Sequence, residues 1–571
     1  MRRPQLARLL VLLVAFAFAL AGIVGRLVVL QIGEHDTFSA LGAEQRLRRF
    51  ELPAARGRIL DRSGEPFALS LQAQDIYADR DYISDPAGTA EVLAPLLGER
   101  PQRIERVLMA DGPSFVYIAQ QVDDRVAAKA ERLELPGIGF LPVSKRYYPA
   151  GDVASQVLGF VGFDGAGLSG LELEYQSALS GTPGERVQEM DPDGRPIASG
   201  VSSERTPVPG RDVVTTIDRA LQYQVQAALA ESVARNRAKG GTVIVMNPHD
   251  GDVYAMATFP GFDPNRFQDA SAEDYRNRAI TDVFEPGSVN KVITAAAAVE
   301  ERALPLDEQL VVPDRIQVGT ATINDSHEHP IERMTLGDII AQSSNVGITE
   351  VADRLGSGPL ASYLTTFGFG RPTGVDFPGE APGVLLPLLQ WSETSRATFA
   401  FGQGISATPL QMAAVYATVA NDGVWVQPRL ARGTVNEQGL YDPFTASPSH
   451  RVISPDTADV VSSMLAYVVE HGTGTAARIE EYQVAGKTGT ARIPYADRAG
   501  YSHRYVASFM GFLPAGDPQV VIVSILDEPA TVYGGIAAAP LFQQVARYAI
   551  QRLRIPPGHR VPLPPHAMPV G

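Results

Sequence analysis

Hydrophobic positions fall into three regimes along the chain. From Leu9 to Gly25 the residues are apolar or small and uncharged; Arg26 interrupts the run, and Leu27 to Ile32 continue it. Counted through Leu30, the run suffices for one membrane-spanning helix, which needs about 20 residues. Between about 35 and 205, short apolar runs alternate with Gly and Pro, the pattern of a mixed domain of short elements. Arg205 to Arg211 (Arg-Thr-Pro-Val-Pro-Gly-Arg) reads as a linker. Beyond it the period changes repeatedly. Val213 to Ile217 predicts a strand and Arg219 to Arg237 a helix. Thr242 to Met246 and Val253 to Met256 predict a hairpin through Asn247-Pro-His-Asp-Gly251. Tyr505 to Leu513 and Val520 to Leu526 predict two more strands, and Ala539 to Leu553 a final helix. A sheet built from both ends of one domain, with helices inserted between, is an α/β (α+β) arrangement. The stretch from Pro556 to Gly571 is Pro-rich and predicts a disordered tail. There is no internal repeat.

Basic residues refine the N-terminal reading. Arg2, Arg3 and Arg8 precede the apolar run, which places a short stub (1–8) in the cytoplasm, an anchor at 9–30 and the remainder outside. Arg26 can snorkel to the headgroups. Ala15-Phe-Ala17 and Ala17-Phe-Ala19 resemble signal-peptidase sites, but the apolar run continues well past them, which favours an uncleaved anchor. The 571 residues suggest three or four domain-sized units. A net charge of −15 without a basic patch argues against nucleic-acid binding. The absence of cysteine excludes disulfides, thiol catalysis and zinc-thiolate sites.

Candidate chemistry lies in three short motifs: Ser288-Val-Asn-Lys291, Ser343-Ser-Asn345 and Lys487-Thr488-Gly489-Thr490. Only five of the 49 basic residues are lysines, and two of the five stand in these motifs. That usage matters because a buried lysine can lose its proton, whereas arginine stays charged. Ser288 follows the turn Glu285-Pro-Gly287 and opens an alanine-rich helical run, Val289 to Arg302. The expected serine therefore sits at a helix N-terminus, where developing negative charge is favoured. Lys291 lies one turn along the same face, placed to take the hydroxyl proton. Ser343 and Asn345 follow a helical run from Thr335; the first is a candidate proton relay and the second a donor to a substrate amide. Lys487, Thr488 and Thr490 are placed to bind a carboxylate from an edge strand, and Gly489 permits close approach by a ligand. The backbone N–H groups of Ser288 and Thr490 are the expected oxyanion hole. Taken singly, each motif also has a plain structural reading, as a serine cap, a polar helix end or a strand turn.

The three motifs in this order are the signature of penicillin-binding proteins and class A β-lactamases. The whole chain resembles a class B penicillin-binding protein, a monofunctional peptidoglycan D,D-transpeptidase, with stub, anchor, pedestal (35–205), transpeptidase domain (206–555) and tail (556–571). Arg56-Gly57 with Asp61-Arg62, and Gly167 with Gly170-Leu-Glu172, resemble pedestal motifs of that class. Read without the family, those residues are turn glycines and structural ion pairs. Phe401-Gly-Gln-Gly404, Tyr533-Gly-Gly535 and Ala539-Pro540 resemble further landmarks. Length and the Tyr533 region are similar to the cell-division, FtsI-type branch. Ser-Ser-Asn stands where the commoner motif has Ser-Asp-Asn. The resemblance implies a stem peptide ending in D-Ala-D-Ala as substrate, covalent binding of β-lactams, no cofactor and no metal. It also implies a polytopic glycosyltransferase of the FtsW type and other division proteins as partners.

Rival readings differ in architecture. A β-lactamase would lack the pedestal, and a β-lactam sensor would need a cytoplasmic output domain, for which the stub leaves no room. A scaffold with a dead site would not keep every catalytic element. A D,D-carboxypeptidase, with water in place of the acceptor amine, stays open. His327-Glu-His329 with Asp325 has a metal-like composition, but no third histidine stands near, and a loop beside the active site is the expectation.

Overall fold

The computed structural model describes residues 3–34, 46–190, 197, 200–319, 321–495, 497–498 and 500–564. Met1 and Arg2 of the stub, 35–45 at the start of the expected pedestal and 565–571 of the tail lie outside them. The chain forms two units, residues 1–55 with 181–209, and residues 56–180 with 210–571.

The first unit contains an exposed helix, Arg3–Val28, continued by a π turn, Val29–Gly33. At about 1.5 Å per residue the helix exceeds the ~30 Å hydrocarbon core of a bilayer. It is long and apolar enough to cross a membrane, and it covers the expected anchor. A three-stranded antiparallel sheet of Leu47–Leu52, Gly184–Glu189 and Ser202–Arg205 completes this unit.

In the second unit a five-stranded antiparallel sheet carries the candidate chemistry. Its strands are β1 (Gly240–Met246), β2 (Val253–Phe259), β3 (Ala485–Pro494), β4 (Tyr501–Leu513) and β5 (Val520–Asp527), in the order β2-β1-β5-β4-β3. The expected hairpin joins β1 and β2, with Met246 opposite Val253. The helices that frame the sheet are α1 (Arg219–Asn236), α2 (Lys291–Glu300), α3 (Leu336–Gln342), α4 (Asn345–Leu355) and α5 (Ala539–Leu553). Both faces of β1 are buried, so its sequence is a continuous apolar run. Val243 and Val245 pack in the cluster formed with α1 and α5; Ile244 and Met246 pack in the one that includes α2. The period of 2 along the strand thus meets a helical layer on each side.

One sheet has strands on both sides of the boundary expected at 205/206. Ile59–Leu60 pairs in parallel with Asp212–Thr215, which pairs in turn with Ala431–Val435. One seven-stranded sheet therefore runs from the expected pedestal into the transpeptidase part, because a two-residue strand cannot stand alone and borrows its ladder from the later segment. Pro207 and Pro209 stand at one of the three changes of unit along the chain, 209/210.

Glu172 fixes this second unit locally. It is fully buried and accepts from Arg56 Nε and Arg146 Nε, both at 2.7 Å, and from the Tyr148 hydroxyl at 3.1 Å. The remaining Arg56 hydrogens reach the Gly165 and Glu172 carbonyls and Gln176. The two motifs separated by more than 100 residues are thus a buried ion cluster, which is their plain structural reading.

The tail expectation needs correction for 556–564. The Gln483 side chain accepts from Val561 N–H at 2.7 Å and donates to Val561 C=O at 3.1 Å, and Ser463 Oγ donates to Pro562 C=O. Proline has no N–H to satisfy, so a few side-chain partners hold such a segment against a domain without secondary structure.

Removing one member of a buried ion cluster leaves the others uncompensated, at about 3–5 kcal/mol. Glu172→Ala is expected to lose stability of that order in denaturant unfolding. A loss below about 1 kcal/mol, the size of a surface pair, would contradict the account.

Candidate active site

Ser288 lies in a 3₁₀ turn, Gly287–Asn290, that leads into α2. The expectation of an α-helical N-terminus is corrected in this detail. With 3.0 residues per turn, a 3₁₀ segment eclipses positions i and i+3, so Ser288 and Lys291 share a face more closely than in an α-helix. The Lys291 N–H donates to the Ser288 carbonyl. Gly287 has φ +57° and meets Ala491 Cβ at 3.2 Å, counted from the position of an added Cβ. An added Cβ on Gly402 would stand 2.4 Å from the Gly287 carbonyl oxygen, so the Phe401-Gly-Gln-Gly404 segment closes on the turn. Gly287 N–H donates to the Gly402 carbonyl and the Tyr416 hydroxyl donates to the Val289 carbonyl, both at 3.0 Å. Among the described residues nothing hydrogen-bonds the Ser288 hydroxyl, which is half-buried.

Helix α3 starts with a capping box of Thr335 and Asp338. It ends at Ser343, which has φ +66°, a left-handed conformation unusual for serine. Ser344 then caps α4 through the Gly347 N–H. The break between the helices turns the Ser343 side chain and the first residue of α4, Asn345, towards Lys291. Lys291 Nζ donates to the Ser343 carbonyl at 2.5 Å and to Asn345 Oδ1 at 2.8 Å, and lies 3.3 Å from Ser343 Oγ. Asn345 Nδ2 donates to the Asn324 carbonyl at 3.0 Å.

Lys487-Thr488-Gly489-Thr490 stands on β3, the sheet edge, as expected. Lys487 Nζ lies 2.9 Å from Ser343 Oγ, so both lysines converge on one hydroxyl. Thr488 Oγ1 bonds Thr473 Oγ1 at 2.7 Å, and Thr490 Oγ1 accepts from Gly534 N–H at 3.2 Å. Gly489 is also packed closely within the protein. An added Cβ would lie 2.2 Å from Ser508 Oγ on the neighbouring strand β4 and 3.0 Å from Val289 Cγ1 of the serine turn.

Both lysines are fully buried. Burial pushes Lys291 well below its ordinary value, the Lys487 charge adds to this, and Asp325 opposes it. Burial alone pushes Lys487 down to about 7. A neutral Lys291 has two N–H groups, which the Ser343 carbonyl and Asn345 Oδ1 occupy, and its lone pair is left to accept a proton.

Asp325 was read only as one member of a metal-like set. Its carboxylate accepts from Ser344 Oγ at 2.7 Å, from Val346 N–H at 3.0 Å and from Asn345 N–H, at the start of α4 where a negative charge is favoured. His329 Nε2 stands 3.1 Å away on the same carboxylate. Burial opposes the His329 charge, but the Pro330 carbonyl and Asp325 outweigh it and raise the imidazole above its ordinary value. These donors leave the carboxylate little capacity for a metal. The signal that could have found this role was Asp325 itself, since a fixed second helix start requires a partner.

A family model for the penicillin binding protein transpeptidase domain matches residues 241–547, and one for the penicillin-binding protein dimerisation domain matches 51–215. Penicillin-binding protein PbpB of Mycolicibacterium smegmatis is 35% identical over 95% of this chain and 88% of its own length. Peptidoglycan D,D-transpeptidase FtsI of Escherichia coli is 32% identical over 94% and 90%. The crystal structure of penicillin binding protein 3 from Mycobacterium tuberculosis, complexed with aztreonam, superposes with a TM-score of 0.72 at 31% identity, covering 90% of this chain and all of the other.

The Lys487 shift is also a statement about stability. Its folded value, about 7, lies below the ordinary 10.5, so between these the folded chain binds fewer protons than the unfolded one. Stability contributed by this group therefore rises with pH across that window and is lowest below pH 7. Lys487→Met removes the titration. Its stability relative to wild type is expected to be most favourable below pH 7 and to decline by up to about 5 kcal/mol towards pH 10. Urea unfolding of both proteins across that range measures it, and a pH-independent difference would contradict the shift.

Proposed function

Because the chain belongs to the class B penicillin-binding proteins, the peptidoglycan D,D-transpeptidases, we propose that it cross-links stem peptides in the septal wall through an ester on Ser288. The observation that carries this reading is the convergence of Lys291, one turn from Ser288, and Lys487 on Ser343 Oγ. Ser288 Oγ attacks the penultimate D-Ala carbonyl while its proton passes to the lone pair of neutral Lys291. The backbone N–H groups of Ser288 and Thr490 hold the developing oxyanion, donors worth about 3–4 kcal/mol each in comparable enzymes. Lys487, with Thr488 and Thr490, receives the terminal carboxylate. Ser343 relays the proton from Lys291 to the departing nitrogen, the peptide C–N bond breaks and D-Ala leaves. Asn345 orients the substrate amide with the N–H not given to Asn324.

An amine from a second stem peptide then attacks the ester. Its proton returns through Lys291 to Ser288, whose C–O bond breaks as the new amide forms. Water in the amine's place gives the carboxypeptidase outcome. A β-lactam enters the same first step, but its leaving nitrogen stays tethered and the ester persists. No metal or cofactor has a part in these steps.

The N-terminal helix serves in this reading as a single-pass anchor, with the N-terminus in the cytoplasm and the second unit outside. An FtsW-type glycosyltransferase in the same membrane would supply the glycan, since tethering two enzymes on one nascent strand raises their effective concentration. The septal assignment rests on similarity to the FtsI-type branch, supported by the identity to the Escherichia coli protein.

Incubation with polymerised peptidoglycan, followed by mass analysis, tests the activity; cross-linked dimers are expected, and products trimmed by D-Ala alone would favour the carboxypeptidase. Ser288→Ala should lose covalent labelling by a fluorescent penicillin while keeping its unfolding midpoint; wild-type labelling would exclude this serine. Depletion in the host should give filaments with blocked septa. Swollen cells that still divide would place the enzyme in elongation.

A further inference from the structure

A cavity of about 550 Å³ opens beside the serine turn, large enough for an amino-acid side chain. Strand β3 leads into it: the four residues after Thr490, Ala491 to Pro494, line the cavity. Glu285 and Gly404, which flank the serine turn and bond one another at 3.0 Å, line it as well. The walls are mainly apolar, with Phe284, Ile405, Val506 and Ile525.

The charged groups in this lining are of two kinds. Most are satisfied within the protein. Lys239 pairs with Glu528 at 2.8 Å and Asp282 with Arg276 at 2.5 Å, Glu285 takes the Gly404 N–H and the Tyr501 hydroxyl, and Arg492 donates to the Tyr505 hydroxyl. Arg278 and Asp527 are different. Among the described residues neither side chain has a hydrogen bond or an ion pair, although both are half-buried. Both border one glycine: an added Cβ on Gly240 would lie 3.3 Å from Arg278 Nη1 and 3.5 Å from Asp527 Oδ2. They are close enough to feel one another and too far apart to pair. Burial pushes the Asp527 carboxyl up to about 6, against the Arg278 charge. An unpaired cation and an unpaired carboxyl side by side in an apolar cavity are complementary to a zwitterion, whose carboxylate accepts from the guanidinium fork and whose ammonium donates to the carboxylate.

The proposed chemistry supplies such a group. Cross-linking needs a side-chain amine, so a stem peptide carries a diamino residue upstream of its D-Ala-D-Ala end. With the D-Ala-D-Ala end on Lys487 to Thr490, a donor extended along β3 brings its upstream part to Ala491 to Pro494, at about 3.3 Å per residue. We propose that the cavity receives the side chain of that diamino residue, and that Arg278 and Asp527 select one ending in both an amine and a carboxylate over one ending in an amine alone. The inference rests on Ser288 as the nucleophile. A lysine-type side chain would satisfy Asp527 and leave Arg278 half-buried without a partner.

The test uses two penicillins that differ only at the tip of the acyl side chain, which takes the place of the upstream peptide. One tip carries an amine and a carboxylate, the other an amine. Acylation rates of the full chain are expressed relative to a penicillin with an uncharged tip. The wild type is expected to favour the zwitterionic tip by about tenfold, the worth of one charge-assisted hydrogen-bonded contact. Arg278→Gln should reduce that preference to below about twofold, and Arg278→Lys, which keeps the charge without the fork, should retain part of it. Asp527→Asn should slow both amine-bearing penicillins relative to the uncharged one. Equal wild-type rates for the two tips, or an unchanged preference in Arg278→Gln, would overturn the assignment. If no penicillin labels Ser288, the nucleophile assignment fails and this one with it; labelling without preference for a tip overturns this one alone.

Discussion

Two lysine side chains without solvent access, aimed at one hydroxyl, are the constraint around which this site is built. Two unit charges 4 Å apart repel by about 4 kcal/mol at an effective dielectric of 20. Desolvation adds a penalty for each. The arrangement is tolerable only if one lysine gives up its proton. Lys291 is the one on which both effects act: burial lowers its value, the Lys487 charge adds to this, and Asp325 opposes them. The helix break at Ser343 and the edge position of β3 are what bring these groups together.

Glycine does the steric part of the same task. The serine turn is pressed between Gly402 on one side and Gly489 of β3 on the other, and each would drive a Cβ into it or its neighbours. Beyond β3, an added Cβ on Gly534 would lie 2.3 Å from the Gly489 carbonyl oxygen, so the Tyr533-Gly-Gly segment repeats the close approach on the far side. Layers of backbone at this spacing leave little freedom to the Ser288 turn. Preorganisation of this kind lets backbone N–H groups act on a developing charge without reorganising first.

Much of this was legible in the sequence, for reasons that differ by element. The anchor helix and α5 are long and strongly patterned, and α5 spans Ala539–Leu553 as read. The strands of the sheet are apolar runs between clear turns. The motif residues were readable because their chemistry is rare in this arginine-rich chain. Other features were hidden because they depend on partners remote in sequence. The 3₁₀ turn at Ser288 is held by Gly402, and the left-handed Ser343 by the need to start a second helix. Asp325 was read only within a loop beside the active site, because composition does not show that its carboxylate caps the start of α4. The pairing of Ile59–Leu60 with Asp212–Thr215 across the expected 205/206 boundary is a long-range choice that no local pattern records.

The shortage of lysine sharpens the division of labour between the two site lysines. Arginine can replace a lysine wherever only charge is asked for, and this chain has made that exchange almost throughout. Lys291 resists it because a guanidinium does not deprotonate at any accessible pH. Lys487 resists it for a different reason. It is fully enclosed beside Ser343 Oγ, Thr488 Oγ1 and the Thr488 carbonyl, three acceptors within 3.4 Å for the three donors of a compact ammonium. A value of about 7 also allows its charge to be present when a carboxylate arrives and weak when none is there. An arriving carboxylate would raise that value, and the restored charge would push Lys291 further towards its neutral form. On the proposed roles, substrate binding at one lysine thereby readies the other as a base, with Ser343 Oγ as the shared atom between them.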